Sequence, residues 1–268
     1  MDPLRDAQTD PQAFEALFLP HVPTLRGVLR RMVGTPDDVE DLTQQTLLNA
    51  FEHIESFRGD AKASTWLCAI GTRLAIDHLR SKQRWRSRAQ VIFAASCLED
   101  AHAATAVGTA MSAPDFQYDV REHIAYCFTC VGRTLPPDEQ AALILRDVLG
   151  LTNQEAADAL RVSRSILRHK LSAARRTMNV VYEELCALVK KDGICWQCAG
   201  LREASPDGKK GPPVPAELSW DERLGVVRET TTSKSAAMHH VFFRRTAEQE
   251  EERRGDENAT TDCGRPET

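Results

Sequence analysis

Apolar residues recur at helical spacing along most of the first 185 positions. Across residues 12–33 they fall at Phe14, Leu17, Phe18, Val22, Leu25, Val28, Leu29 and Met32, with an interruption marked by Pro20 and Pro23. Gly34-Thr35-Pro36 predicts a turn. Asp37 and Asp38 then set acids at the positive end of a second helix, which runs to about Ile54. This helix turns Val39, Leu42, Thr46, Leu47, Ala50, Phe51 and Ile54 inward, while Asp41, Gln44, Gln45 and Asn49 point elsewhere. A short loop at Phe57-Arg58-Gly59 leads to a third helix, over 64–83, that starts at Ser64-Thr65. Its apolar faces are set by Trp66, Leu67, Ile70, Leu74, Ile76 and Leu79.

From Val91 to Asp115 the pattern fails and small residues dominate, which predicts a flexible linker with one marginal helix turn at 97–106. Helical spacing resumes at Asp119 and stops at Pro136-Pro137. Pro137 suits a helix start, followed by Asp138, Glu139 and the apolar set Ala141, Leu143, Ile144, Leu145 and Val148, and Gly150 closes that helix. A helix from Thr152, a break near Leu160 to Val162 and a second helix capped by Ser163 describe a helix-turn-helix, with Ala156 and Ala157 permitting close packing. Arg161 occupies the turn position where glycine most easily takes a positive φ, at a cost of roughly 1 kcal/mol. Beyond Lys191 come a cysteine knuckle at Gly193–Gly200, a linker rich in proline and glycine, a helix within 234–253 and a tail of disordered composition. The fold expected is all-α. A helical domain over 12–88 and a helix-turn-helix domain over 119–191 flank a flexible linker at 89–118, and a partly disordered extension occupies 192–268.

Charge narrows the function. The chain of 268 residues carries a net charge of −5, so nucleic-acid binding has to rest on local patches rather than on overall charge. Two patches qualify. Arg80, Lys82, Arg84, Arg86 and Arg88 follow the aromatic loop. Arg164, Arg168, His169, Lys170, Arg175 and Arg176 lie on the second helix of the helix-turn-helix, within an acid-free run from Ala159 to Tyr182. Rings for unstacked bases and cations for phosphates suit opened nucleic acid, and a cationic second helix suits a major groove. The acidic amino terminus has no apolar run and no stretch approaches the roughly 18 apolar residues of a membrane helix, so a cytoplasmic protein without membrane contact is expected. No glycine-rich phosphate loop and no nucleophile with partners stands out, and His21, His53, His78 and His102 are scattered singly, which argues against an enzyme.

The segments DDVEDLTQQTLLNAF, FRGDAKASTWLCAIGTRLAIDHLR and LPPDEQAALILRDVLGLTNQEAADALRVSRSILRHKLSAAR stand in that order within residues 12–185. In this the chain resembles the extracytoplasmic-function (ECF) group of bacterial RNA polymerase sigma factors of the sigma-70 family. The resemblance implies a protein that binds core RNA polymerase, recognises the −10 and −35 promoter elements and promotes DNA opening. It implies that Asp38, Asp41, Gln44, Gln45 and Asn49 grip the polymerase, although Gln45 stands where members often have Glu. The loop Phe57 to Lys62, with Arg58, would cradle a base flipped from the non-template strand. Arg73, where many members have Asn, would face the −10 element together with Asp77 and Arg80. Ser163, Arg164, Ser165, Arg168 and His169 would read the −35 element, with Arg175 and Arg176 on phosphates. A monomer is expected, with an anti-sigma factor as a further partner. The rival reading is a self-sufficient helix-turn-helix regulator with a metal or redox sensor segment, which leaves the loop at 57–62 and the helix at 37–54 unexplained.

Two CxxC pairs, Cys127/Cys130 and Cys195/Cys198, flank the helix-turn-helix unit, and His123 shares a helical face with the first pair. They could form a tetrahedral zinc site, with Cys186 near it; a disulfide switch and inert buried thiols are the alternatives. Cys68, Cys97 and Cys263 are isolated and read as structural or incidental. The segment 201–268 is expected to act as an in-chain regulator, docking Phe242 and Phe243 on the rest of the chain.

Overall fold

The computed structural model describes residues 6–33, 36–81, 120–132, 134–185 and 219–229, with the side chains of 120–123, 126, 130 and 182–185 outside that description. Among the described residues every regular element is helical. A first unit holds α1 (Pro11–Phe18), α2 (Val22–Met32), α3 (Pro36–Glu52) and α4 (Ala63–Arg80). A second holds α5 (Val120–Gly132), α6 (Pro137–Leu143), α7 (Asn153–Leu160) and α8 (Arg164–Leu185), and α9 (Trp220–Glu229) follows from the carboxyl-terminal segment. The expected linker at 89–118, its helix turn and the helix within 234–253 lie outside the described residues.

Local chemistry sets the helix ends. Asp10 caps α1 by accepting from the Gln12 amide at 3.0 Å, and Pro11 takes the first position, where no backbone donor is needed. Pro20 and Pro23 separate α1 from α2 through a single 3₁₀ turn, Leu19–His21. The third expected helix begins at Ala63 rather than Ser64, and Lys62 is its N-cap, with no side-chain acceptor for the free amides. One inward assignment fails. Phe51 is 45% exposed and only meets Phe14 edge-on, with ring centroids 5.2 Å apart.

Gly71 lets α4 sit tightly against α2 and α3. A methyl group there would lie 2.5 Å from Leu25 Cδ1 and 3.1 Å from Thr46 Oγ1, and both neighbours are fully buried. In the second unit Thr152 and Glu155 form a reciprocal capping box at the start of α7. Arg161 ends α7 in the left-handed region at φ 54°, and the Ser163 hydroxyl accepts from the Ile166 amide to start α8. Leu167, Leu171, Ala174 and Met178 then form the buried stripe of α8.

Between α6 and Gly150 the chain widens into a π-helical turn, Ile144–Val148, whose Leu149 amide reaches back five residues to the Ile144 carbonyl at 2.9 Å. This turn carries Asp147 inward, where it is 3% exposed.

The two units do not stand apart. Ala141 and Ile144 of the second unit join the core of the first, and Ala69 of α4 packs with Ala142, Leu145, Ala156 and Ala157. Small side chains on α4, α6 and α7 allow this close approach. Gln140 adds a bond from its side-chain amide to the Arg31 carbonyl at 2.9 Å.

Replacing Gly71 with alanine should test the tight three-helix contact. Helix propensity alone would gain up to about 1 kcal/mol, but overpacking costs about 1–3 kcal/mol. We expect a net loss of roughly 1 kcal/mol in urea unfolding, and a larger one for Gly71→Val. A stabilised Gly71→Ala protein would show that the helices separate freely.

Candidate nucleic-acid interface

The loop at 57–62 is fixed from inside and charged outside. Phe57 is only 6% exposed, with its ring 5.6 Å from Phe18 and 5.0 Å from Trp66. This corrects its expected part as a ring for unstacked bases, because the ring is spent on anchoring the loop to the core. Arg58 and Lys62 remain exposed. Arg58 meets Asp60 at 3.6 Å with both side chains more than four-fifths exposed, a pairing worth little in water. Gly59 supplies the positive φ, 78°, that turns the loop outward.

Beside the loop lies a cleft of about 520 Å³ lined by Asn49, His53, Trp66, Arg73, Asp77 and Arg161 among others. Trp66 is half-buried, so its ring is the aromatic surface of the cleft. Sequence reading placed Trp66 only on an apolar face; its nearness to the Phe57 loop was the signal available. Asn49, expected on the polymerase side, is among the residues that line this cleft. Arg73 is half-buried and donates from Nη1 to the Ala159 carbonyl of α7 at 2.9 Å. Burial, and after it the charge of Arg161, lower its guanidinium pKa from the ordinary value. Two cations thus face one cleft from different units. Arg80 divides itself between Asp77 at 3.2 Å and Asp138 at 3.4 Å, and Lys170 reaches the same Asp138 at 3.0 Å.

The helix-turn-helix presents a different aspect. Ser163 at the N-cap and Arg164, Ser165, Arg168, His169 and Arg176 of α8 are all exposed, as is Ile166, outside the buried stripe. Arg175 departs from this group. Its Nε and Nη2 donate to the two carboxylate oxygens of Asp147 at 2.8 and 2.6 Å, and these bonds raise its pKa above the ordinary value. Its expected phosphate contact therefore competes with a structural one.

On α3, Asp41, Gln44 and Gln45 are exposed together with Leu48, 63% exposed, and Phe51. Asp38 lies 3.3 Å from His78 Nε2 of α4 and is half-buried. The outward stripe is therefore part polar and part apolar, and Leu48 was missed because it sits next to the inward Leu47.

Cys68 and Cys127 are not in disulfides. Cys68 is buried, which pushes its thiol up to about 12, in keeping with a structural residue. The side chains of Cys130 and His123, and all of Cys186, Cys195 and Cys198, lie outside the described residues.

Two segments of the chain match known families. The family described as Sigma-70 region 2 matches residues 17–85, and Sigma-70, region 4 matches residues 128–178. Residues 17–85 and 128–178 are thus similar to two regions of the sigma-70 family, in the order in which they are numbered there. It is 30% identical over 165 residues to the ECF RNA polymerase sigma factor SigG of Mycobacterium tuberculosis, covering 56% of this chain and 44% of that one. It therefore spans less than half the length of SigG. It is 29% identical to the ECF RNA polymerase sigma factor SigX of Bacillus subtilis, covering 65% of this chain and 88% of that relative. A co-crystal structure of the sigma factor RpoE with the anti-sigma factor NepR from Bartonella quintana is similar at 20% identity and a TM-score of 0.43, over 62% of this chain and 94% of that one. Among the described residues no helix is long and apolar enough to cross a membrane.

The Arg175–Asp147 pair makes an asymmetric prediction. Arg175→Ala strands a buried carboxylate and should cost about 2–3 kcal/mol, reduced from the fully buried case because Arg175 is 44% exposed. Asp147→Asn frees a guanidinium that water can reach and should cost about 1 kcal/mol. Urea midpoints of the two variants check the order; equal small losses would return Arg175 to the phosphate-facing set.

Proposed function

We propose that this chain is a promoter-specificity subunit, which binds core RNA polymerase, recognises −10 and −35 elements and promotes DNA opening. The observation that carries the reading is the pairing of two readers in one chain. One is a loop of exposed cations beside an aromatic cleft, and the other a helix-turn-helix whose second helix keeps its basic face in water. The first suits an unpaired base and the second an intact major groove. The stripe of Asp41, Gln44, Gln45, Leu48 and Phe51 on α3 is the surface assigned to the polymerase. Its mixed polar and apolar character fits a protein interface better than a phosphate backbone. The protein acts by binding, as a monomer in the cytoplasm, with no covalent step of its own, and an anti-sigma factor is a further partner. A self-sufficient regulator would have no use for the loop or for the exposed stripe of α3.

The promoter elements carry names about 25 base pairs apart, which is roughly 85 Å at about 3.4 Å per step. Helix α4, with its 18 residues, is about 27 Å long and touches α7 directly. The packed arrangement cannot read both elements at once, so the units separate on the polymerase.

In vitro transcription with core polymerase across a genomic promoter library tests the proposal. Promoter-specific transcripts that need core polymerase support it, whereas tight duplex binding without polymerase would favour the regulator. Lys62 gives a sharper test. As an N-cap it forgoes a side-chain bond, so Lys62→Ser should stabilise the fold by about 1 kcal/mol. The same change, like Arg58→Ala, should slow open-complex formation more than it weakens polymerase binding. Normal opening by both variants would remove the loop from the mechanism.

We also propose zinc for Cys127, Cys130, Cys195 and Cys198, with His123 as an alternative ligand at one of the four positions. Cys127 contributes a half-buried thiol next to the second unit's core. Stoichiometric zinc is expected in the purified reduced protein and should fall in Cys195→Ser; no zinc, with unchanged transcription, would leave the thiols inert.

A further inference from the structure

Helix α9 belongs to neither sigma region, yet it is built like a permanent element. Ser219 and Glu222 form a reciprocal capping box at its start, with the Ser219 hydroxyl accepting from the Glu222 amide at 3.3 Å and the Glu222 carboxylate accepting from the Ser219 amide at 2.8 Å. Leu224 and Val227 are buried in the core of the second unit with Phe128, Val131 and Met178, and the Trp220 ring lies 6.2 Å from Phe128. The sequence reading passed over this helix, although Ser219-x-x-Glu222 was visible as a start signal.

The carboxyl-terminal turn of α9 is bonded to both units. Its Val227 carbonyl, one of those a helix leaves without an internal partner, accepts from Arg31 Nη2 of α2 at 2.9 Å. Arg228 donates from Nε to the Asp147 carbonyl in the π-helical turn at 2.6 Å. The state so held is one in which α7 covers part of α4, with Arg73 bonded to the Ala159 carbonyl. It also holds Arg73 and Arg161 near one another, a repulsion that the surrounding contacts must offset.

We propose that α9 is an in-chain latch: it holds the second unit against the first so that the Arg73 face of α4 is covered, and its release precedes promoter recognition. The partner surface is thus internal, a groove formed by α5, the π-helical turn and the end of α2, and its occupant is residues 219–229. Nucleic acid favours the released state because release frees the Arg73 guanidinium from the Ala159 carbonyl and uncovers its face of α4, so that phosphates have more of it to bind in that state. The proposal rests on the promoter-specificity reading for its consequence, but the closure itself is measurable without it.

The test uses the full chain and two variants. Leu224→Ser empties a buried site on the latch, and Arg228→Ala removes one bond from an exposed residue. Small-angle scattering should show a larger radius of gyration for Leu224→Ser, and for Arg228→Ala a smaller change of the same sign. With limiting core polymerase, promoter-directed transcription should rise several-fold, since loss of a buried leucine can shift a closed-to-open ratio roughly tenfold or more. If Leu224→Ser loses its helical circular dichroism, Arg228→Ala decides alone. Unchanged scattering and unchanged transcription in a folded variant would overturn the latch. Expansion of the variants with no transcription from any form would keep the latch and overturn the promoter reading instead.

Discussion

One face of α4 carries the contact between the two units. Arg73 donates from Nη1 to the Ala159 carbonyl of α7 and at the same time lines the cleft beside the loop. The close approach that covers it depends on Ala69, Ala142, Ala156 and Ala157, whose small side chains let three helices meet. The contact places Arg73 near Arg161, so the interface that buries apolar surface also brings like charges together.

The loop at 57–62 shows a related division of labour. Its aromatic residue is withdrawn into the core against Phe18 and Trp66, which fixes the backbone, while Arg58 and Lys62 stay in water. Lys62 occupies a cap position that serine or aspartate would fill with lower free energy. A local sacrifice of this kind is expected where a side chain is retained for binding rather than for the fold. Asp147 is the converse case: a charge withdrawn from solvent that ties α8 to the π-helical turn through Arg175.

Much of this was legible in the residues. The proline and glycine punctuation, the Thr152 start, the Ser163 cap and the strained Arg161 turn all follow from local chemistry, and each appears where that chemistry puts it. The exposed set on α8 was equally legible, because a run without acids has few ways to neutralise itself locally. Less legible were Phe57, Phe51 and Arg175. A phenylalanine in a loop gives no sign of which way its ring faces, and an arginine on a basic helix gives no sign that a buried carboxylate waits 28 positions earlier.

By itself, then, the sequence determined the helices of the first 185 residues, several of their caps and the two basic surfaces, since these depend on residues within a few positions of one another. The tertiary structure alone decided that the two units pack against each other, that Trp66 rather than Phe57 lines the cleft, and that α9 ties both units together. Those outcomes rest on contacts between residues as far apart as Arg31 and Val227. Periodicity says that a face is apolar; only packing says what covers it.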